Sequence, residues 1–303
     1  MKQLDGYLAA PFTPMNEAGD LNLDLIPDYA RFLSDNDLEG VFLCGSTGEG
    51  ALLTREERMG LTEKWVGEAG SKLKIMVHTG GTNLKDQELL ASHAEKIGAW
   101  GVAAMAPAFL PPTRNEELLA LCKTVAGAAP SLPFYYYHIP ILNGVQLSVT
   151  ELLKAADKKI PNFAGVKYTS PDKSEFEQCR QVAGGKFEML WGLDEMFLDA
   201  LIRGNRSGIG GTYNQYFRLY NRMREAYALG QMKLCRELQQ QSRLFYDVLN
   251  KYRGNIMGGK RIMKFLGLDC GPNRLPLQNL SEQEENKLRE ELEEIDFFES
   301  CNI

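Results

Sequence analysis

The sequence predicts an α/β fold, a (β/α)8 barrel with a C-terminal helical extension. Three observations carry this reading. Eight short apolar, β-rich runs punctuate the first 213 residues. Their starts lie roughly 20–35 residues apart, the length of one strand–loop–helix unit. Helix-start signals follow most of them. A doubly wound open sheet is the rival arrangement, but it normally carries fewer strands.

In chain order the runs are YLAAPF (7–12), GVFLCG (40–45), KIMVHTG (74–80), GVAAMAP (101–107), PFYYYHIP (133–140), FAGVKYT (163–169), FEMLWG (187–192) and SGIGGTY (207–213). They are apolar without alternation, as expected of strands covered on both faces. After the second run, Thr54 and Glu57 have capping-box spacing ahead of a helix ending near Gly70. The spacing recurs at Thr113–Glu116 and Ser148–Glu151, and Asp172 with Glu175 offers a related start after the sixth run. Gly98, Gly184 and Gly204 are expected helix stops. From about Gln215 the strand pattern ceases, and 218–230 and 232–252 read as amphipathic helices. A last helix is expected from Ser281, with Glu284 closing its capping box. The chain therefore reads as a single domain over 1–303, with a barrel core at 1–214 and helices at 215–303 packed on it.

Composition narrows the function. The formal net charge is -6 and no Lys/Arg-rich run occurs, so no nucleic-acid partner is expected. No apolar run approaches the roughly 20 residues that cross a membrane, so none is expected there either. The stretch MKQLDGYLAAPFTP has no signal-peptide core before Pro11. The six cysteines lie far apart with no CxxC, which fits a reducing cytoplasm better than a disulfide framework. His78, His93 and His138 are the only histidines, none at ligand spacing with another, so a tightly bound catalytic metal is not expected.

In such barrels the active site forms at the C-terminal ends of the strands. The second run ends in GSTGEG (45–50), the fifth carries Tyr137, the sixth Lys167 and Thr169, the seventh ends in GLDE (192–195) and the eighth in GGTYN (210–214). All converge on one rim. A strand lysine ordinarily snorkels its amine to solvent. Lys167, however, sits among apolar neighbours in a sheet covered on both sides, with Tyr137 at similar height on the adjacent strand. Burial lowers a lysine pKa. At the reference pKa of about 10.4, only ~1 amine in 2,500 is neutral at pH 7, and each unit of depression raises that fraction about tenfold. A neutral amine attacks carbonyl carbon to give a Schiff base, whose protonated form is an electron sink for C–C cleavage.

The other rim residues admit a plain reading and a chemical one. Ser46 and Thr47 could merely satisfy turn donors; equally, two hydroxyls with exposed N–H groups suit a small carboxylate without adding a cation beside Lys167. Tyr137 could be a core aromatic, or a phenol that shuttles protons. Alternation puts Tyr135 and Tyr137 on one face and Tyr136 and His138 on the other. Asp194 could cap the helix that follows, while Asp194 and Glu195 together can accept several hydrogen bonds from a polyol.

GSTGEG, YYYHIP, GVKYTS, GLDE and GGTYN, in this order, resemble the N-acetylneuraminate lyase branch of the dihydrodipicolinate synthase/N-acetylneuraminate lyase superfamily over nearly the whole chain. The resemblance implies that Lys167 forms a Schiff base with pyruvate and that Tyr137 transfers protons. It implies that Ser46 and Thr47 hold the pyruvate carboxylate, and that Thr169, Gly192, Asp194 and Glu195 meet the hydroxylated part of the sugar acid. The implied reaction is reversible cleavage of N-acetylneuraminate (a sialic acid) to N-acetylmannosamine and pyruvate, with no metal or organic cofactor, in a homotetramer. Alternatives within the superfamily are a lyase for a 2-keto-3-deoxy aldonate and, less favoured, dihydrodipicolinate synthesis. The synthase branch places an arginine after its Y-N-[VI]-P motif, where this chain has Ile141, Leu142, Asn143 and Gly144. Two further departures stand out. Gly211 replaces a common serine, which puts the preferred sugar in question, and Phe109 stands in the loop after the fourth strand where bacterial members often have tyrosine.

Overall fold

The computed structural model describes residue 4 and residues 6–301, so part of the N-terminal stretch read for an export signal lies outside the described residues. Among the described residues eight parallel strands close into a barrel in sequence order. They are β1 Gly6–Ala9, β2 Gly40–Leu43, β3 Lys74–His78, β4 Gly101–Met105, β5 Phe134–His138, β6 Phe163–Tyr168, β7 Glu188–Trp191 and β8 Ser207–Gly210. All eight expected runs hold a strand, and β8 pairs with β1 to shut the ring. Each run overshoots its strand by one to three residues at the C-terminal end. Those residues carry the chain into the rim, and Ala10, Thr79, Thr169 and Gly192 still donate one backbone N–H to the neighbouring strand.

The helices α1 Ile26–Asp35, α2 Arg55–Ala69, α3 Leu84–Lys96, α4 Asn115–Gly127, the single turn α5 Pro140–Asn143, α6 Val149–Lys159, α7 Lys173–Gln181 and α8 Phe197–Ile202 alternate with the strands. Thr54 and Glu57 form the reciprocal capping box of α2, and Ser148 and Asp172 cap α6 and α7 through the N–H of Glu151 and Glu175. The Thr113–Glu116 expectation is corrected. Helix α4 starts after an extended Arg114, and Glu117 rather than Glu116 accepts from both Thr113 N and Oγ1. Gly98 and Gly204 follow their helices at positive φ as expected. Helix α7 ends earlier than Gly184 implied, because a 3-10 turn at Val182–Gly184 intervenes.

Beyond β8 come α9 Tyr213–Ala228, α10 Met232–Lys251, a π-helical turn Asn255–Gly259, α11 Lys260–Phe265, α12 Glu282–Glu294 and α13 Phe297–Cys301. Ser281 and Glu284 make the expected capping box, but α12 is not the last helix. After Asp296, at positive φ, α13 folds back and buries Phe297 against Tyr216 and Phe245. No described helix is long and apolar enough to cross a membrane.

Two apolar clusters divide the core. The inner one fills the barrel with Leu8, Phe42, Met76, Ala103, Tyr135, Tyr137, Leu190 and Ile209. The outer one, with Val41, Val102, Tyr136, Val166 and Tyr168, lies between strands and helices. In β6 the alternation is broken. Phe163 pairs with Phe134 but Gly165 pairs with Tyr135, so a bulge at Ala164 takes one extra residue. Phe163 therefore packs outward, Ala164 inward, and Lys167 arrives on the inner face beside Tyr137. Without the bulge, Phe163 and Lys167 would share a face.

Candidate active site

Lys167 and Tyr137 are register partners on β6 and β5. The Lys167 side chain is 4% exposed, and its Nζ lies 4.1 Å from the ring centroids of both Phe42 and Tyr137. Among the described residues no carboxylate lies within ion-pair distance of it. Burial lowers its pKa to about 7, partly opposed by the charge of Asp194. About half of such amines are neutral at pH 7, which is the condition for nucleophilic attack. The ring faces favour the remaining charged half only modestly.

The Tyr137 Oη lies 3.3 Å from Ser46 Oγ. Burial pushes the phenol up to about 12, while the Ser46 and Thr169 hydroxyls pull the other way. Thr169 stands close enough to act on the phenol, yet its Oγ1 has no hydrogen-bond partner among the described residues. His78 completes the wall under the phenol. Its ring packs edge-on to Tyr137, Nδ1 meets the Cys44 carbonyl at 3.0 Å, and burial lowers its pKa to about 3, so it adds no charge near the amine. His138 points to the other side, stacked on Tyr168, as alternation implies.

The GSTGEG segment follows β2 as a closed turn. Glu49 N donates to Ser46 O, and Gly50 N to Gly45 O. Cys44 and Glu49 both adopt positive φ, at 57° and 55°. The Glu49 carboxylate holds this shape from the far end of the chain: it accepts from Lys260 Nζ, Asn273 Nδ2 and the backbone N of Arg274. Glu49 and Lys260 are both buried, and the sequence reading singled out neither.

The GLDE segment lies beside this group. A side chain at Gly192 would collide with Thr169 Oγ1, so glycine lets the two loops close together. Asp194 is buried, and it does not cap α8: the residue preceding that helix is Met196, which makes no side-chain cap. Instead Asp194 Oδ2 accepts from Thr212 N at 2.9 Å and Thr212 Oγ1 at 2.7 Å. Thr212 in turn meets Tyr220 OH, and Tyr220 meets Ser242 Oγ on α10. Each hydroxyl has one proton, so Ser242 donates to Tyr220 and Tyr220 to Thr212. Asp194 Oδ1 is left with no partner. Burial raises the pKa of both carboxyls, and the Asp194 charge adds to the rise at Glu195. The Tyr246 phenol of α10 stands near both and pulls them down. At Gly211 a side chain would run into Asn255 and Thr47.

The structure thus gathers Lys167, Tyr137 and Ser46 tightly, with Thr169 and Gly192 adjoining, and sets Asp194 within electrostatic reach of Lys167. Thr47 stands beside Gly211. Phe42, Asn255 and Tyr246 escaped the sequence reading; only Phe42 left a signal there, as an inward position of β2. After Pro140 there is no cation: Ile141 and Leu142 are exposed, and Asn143 donates its amide to Ala106 O. Among the described residues no group of three or more His, Cys, Asp or Glu side chains could hold a metal ion.

Residues 3–295 match the Dihydrodipicolinate synthetase family. The chain is 38% identical to human N-acetylneuraminate lyase, covering 100% of this chain and 96% of that one, and 37% identical to the mouse protein of the same name at the same coverage. Among solved structures, N-acetylneuraminate lyase of Proteus mirabilis superposes with a TM-score of 0.95 at 33% identity, covering 98% of this chain and 100% of that chain. That of Aliivibrio salmonicida, described as a sialic acid aldolase, gives 0.95 at 35% identity and 98% of each chain.

Proposed function

The chain belongs to the dihydrodipicolinate synthetase family, and on that premise we propose that it is a carbon–carbon lyase cleaving N-acetylneuraminate reversibly to N-acetylmannosamine and pyruvate. One observation carries the chemistry: an unpaired, buried lysine amine at the end of β6, 4.1 Å over the ring of a tyrosine. Full-length similarity to N-acetylneuraminate lyases supports the substrate.

The neutral amine of Lys167 adds to the C2 ketone of the open-chain sugar acid. Dehydration gives the iminium: the ketone oxygen leaves as water with one hydrogen from the amine and one proton from the Tyr137 phenol, which becomes phenolate. The C3–C4 electron pair then moves into the iminium as the C4 hydroxyl loses its proton, releasing the aldehyde and leaving the pyruvate enamine. Protonation at C3 and hydrolysis return pyruvate and the free amine. Tyr137 carries the C4 proton. Its phenol is neutral at rest and donates to the developing alkoxide in synthesis; in cleavage the adjacent iminium charge favours the phenolate that takes the proton back. Ser46 and Thr47 hold the carboxylate with hydroxyl and backbone donors. Thr169, Gly192, Asp194, Glu195 and Gly211 border the hydroxylated remainder, where the free Asp194 Oδ1 accepts from a substrate hydroxyl.

The chain works as one folding unit, barrel core 1–214 with helices 215–303, assembled as a homotetramer. Phe109 and Leu110 after β4 and Ile141 and Leu142 after β5 support self-association: they are 70%, 80%, 86% and 56% exposed on adjoining loops. The cytoplasm is the expected compartment, consistent with six free cysteines.

Product analysis tests the substrate. Stoichiometric pyruvate and N-acetylmannosamine from N-acetylneuraminate are expected. No release from it, with rapid release from a 2-keto-3-deoxy aldonate, would reverse the assignment.

A further inference from the structure

Gly211 and Asn255 share one space. A Cβ built on Gly211 would sit 2.5 Å from Asn255 Nδ2 and 2.8 Å from Thr47 Oγ1. The Asn255 amide therefore occupies the position that a side chain at 211 would take, at the end of β8. Its orientation follows from its other atom. Gln215 Nε2 donates to Asn255 Oδ1 at 3.1 Å and to Gly259 O at 3.0 Å. Flipping the amide would set two NH2 groups against each other. A side chain at Gly259 would collide with Asn255 Oδ1 and crowd Gln215. Two glycines, 211 and 259, thus make room for one oriented amide.

Two further features mark this amide as more than packing. Asn255 opens a π-helical turn, a geometry that is rare and recurs at functional sites. Residue 255 is half-buried, and among the described residues no acceptor takes an N–H of its Nδ2. The adjoining GLDE carboxylates, when ionised, only accept hydrogen bonds. A polyol offers oxygens as well as O–H groups, so such a subsite also needs a donor. An amide supplies one without a positive charge that would depress Lys167 further.

We propose that Asn255 is a binding residue for the hydroxylated tail of the sugar acid, donating from Nδ2 across Gly211. The inference deepens the lyase reading and rests on it. The tail contact is separable from the keto-acid end, because pyruvate alone has no tail.

The test measures three quantities on wild type, Asn255→Ala and Asn255→Asp: KM and kcat for N-acetylneuraminate cleavage, and the pyruvate concentration that half-labels Lys167 under borohydride. Loss of one neutral hydrogen bond raises KM about tenfold in Asn255→Ala. Asn255→Asp, which keeps the shape and Oδ1 but replaces the donor by an acceptor, raises it further. Pyruvate half-labelling stays unchanged in both. The effect shrinks with a 2-keto-3-deoxy aldonate whose tail is shorter. Gly211→Ser is expected to impair the wild type by collision with Asn255, and to recover affinity in the Asn255→Ala background by placing a hydroxyl in the vacated space. Unchanged KM in both Asn255 variants overturns the proposal. So does a parallel shift in pyruvate half-labelling, which would put the amide at the carboxylate end. If wild-type Lys167 takes no pyruvate at all, the lyase reading itself fails.

Discussion

Lys167 Nζ lies over the ring of Tyr137, its register partner on the neighbouring strand, and among the described residues no carboxylate is in ion-pair range. The amine is held by apolar surface rather than by countercharge. Its low pKa is therefore a consequence of burial, tempered by Asp194.

That origin predicts a pH profile. Pyruvate trapping on Lys167 should rise with pH through about 7 and then level, where an ordinary lysine would keep rising toward pH 10. Asp194 raises the lysine pKa, so Asp194→Asn should move the rising limb to lower pH. A limb that stays put, or moves up, contradicts this electrostatic assignment.

Burial of the amine also has a stability cost. The folded pKa lies below the unfolded value, so between about pH 7 and 10.5 the unfolded chain binds more protons and stability rises with pH. At pH 7 the cost is on the order of 4 kcal/mol. Lys167→Met should abolish cleavage while raising Tm at pH 7, and the gain should diminish by pH 10. A lower Tm at pH 7 would refute it.

Tyr137→Phe keeps the ring beneath the amine and removes the hydroxyl that meets Ser46. Cleavage should fall by about 10²–10⁴-fold, the usual worth of a general acid–base group. The purified variant should still take pyruvate onto Lys167 at equilibrium. Cleavage within threefold of wild type would remove Tyr137 from the proton path.

Gly192→Ala forces a methyl group against Thr169 Oγ1. Overpacking of this kind costs about 1–3 kcal/mol. KM for the sugar acid should rise at least about fivefold, with pyruvate half-labelling little changed. An unaltered KM would show that the two loops can separate freely.

The Glu49–Lys260 pair joins the GSTGEG turn to α11 inside the protein, 2.8 Å apart. Glu49→Ala leaves a buried, unpaired cation and should destabilise by about 3–5 kcal/mol, read as a lower urea midpoint. Barrel and helices should still unfold in one transition. Loss of the barrel signal in a separate step would split the chain into two units.

Much of the fold was legible because it is periodic and local. Strands covered on both faces read as continuous apolar runs, and Thr54 with Glu57 or Ser281 with Glu284 lie three residues apart. Lys167 stood out for the same reason, as a charge in an apolar run. The bulge at Ala164 left no signal, since it is a property of pairing with β5. Asp194 reads as a helix cap by position, but Thr212, 18 residues later, claims its carboxylate. Asn255 meets Gly211 across 44 residues and Lys260 meets Glu49 across 211. Such contacts follow from barrel closure and from helices folding back, not from any spacing in the chain.

The most direct measurement is incubation of the wild-type protein with pyruvate and borohydride, followed by mass analysis of its peptides. A single reduced pyruvate adduct, on Lys167 and absent from Lys167→Ala, is the expected result. An unmodified chain, or labelling confined to other lysines, would contradict Schiff-base chemistry at this site.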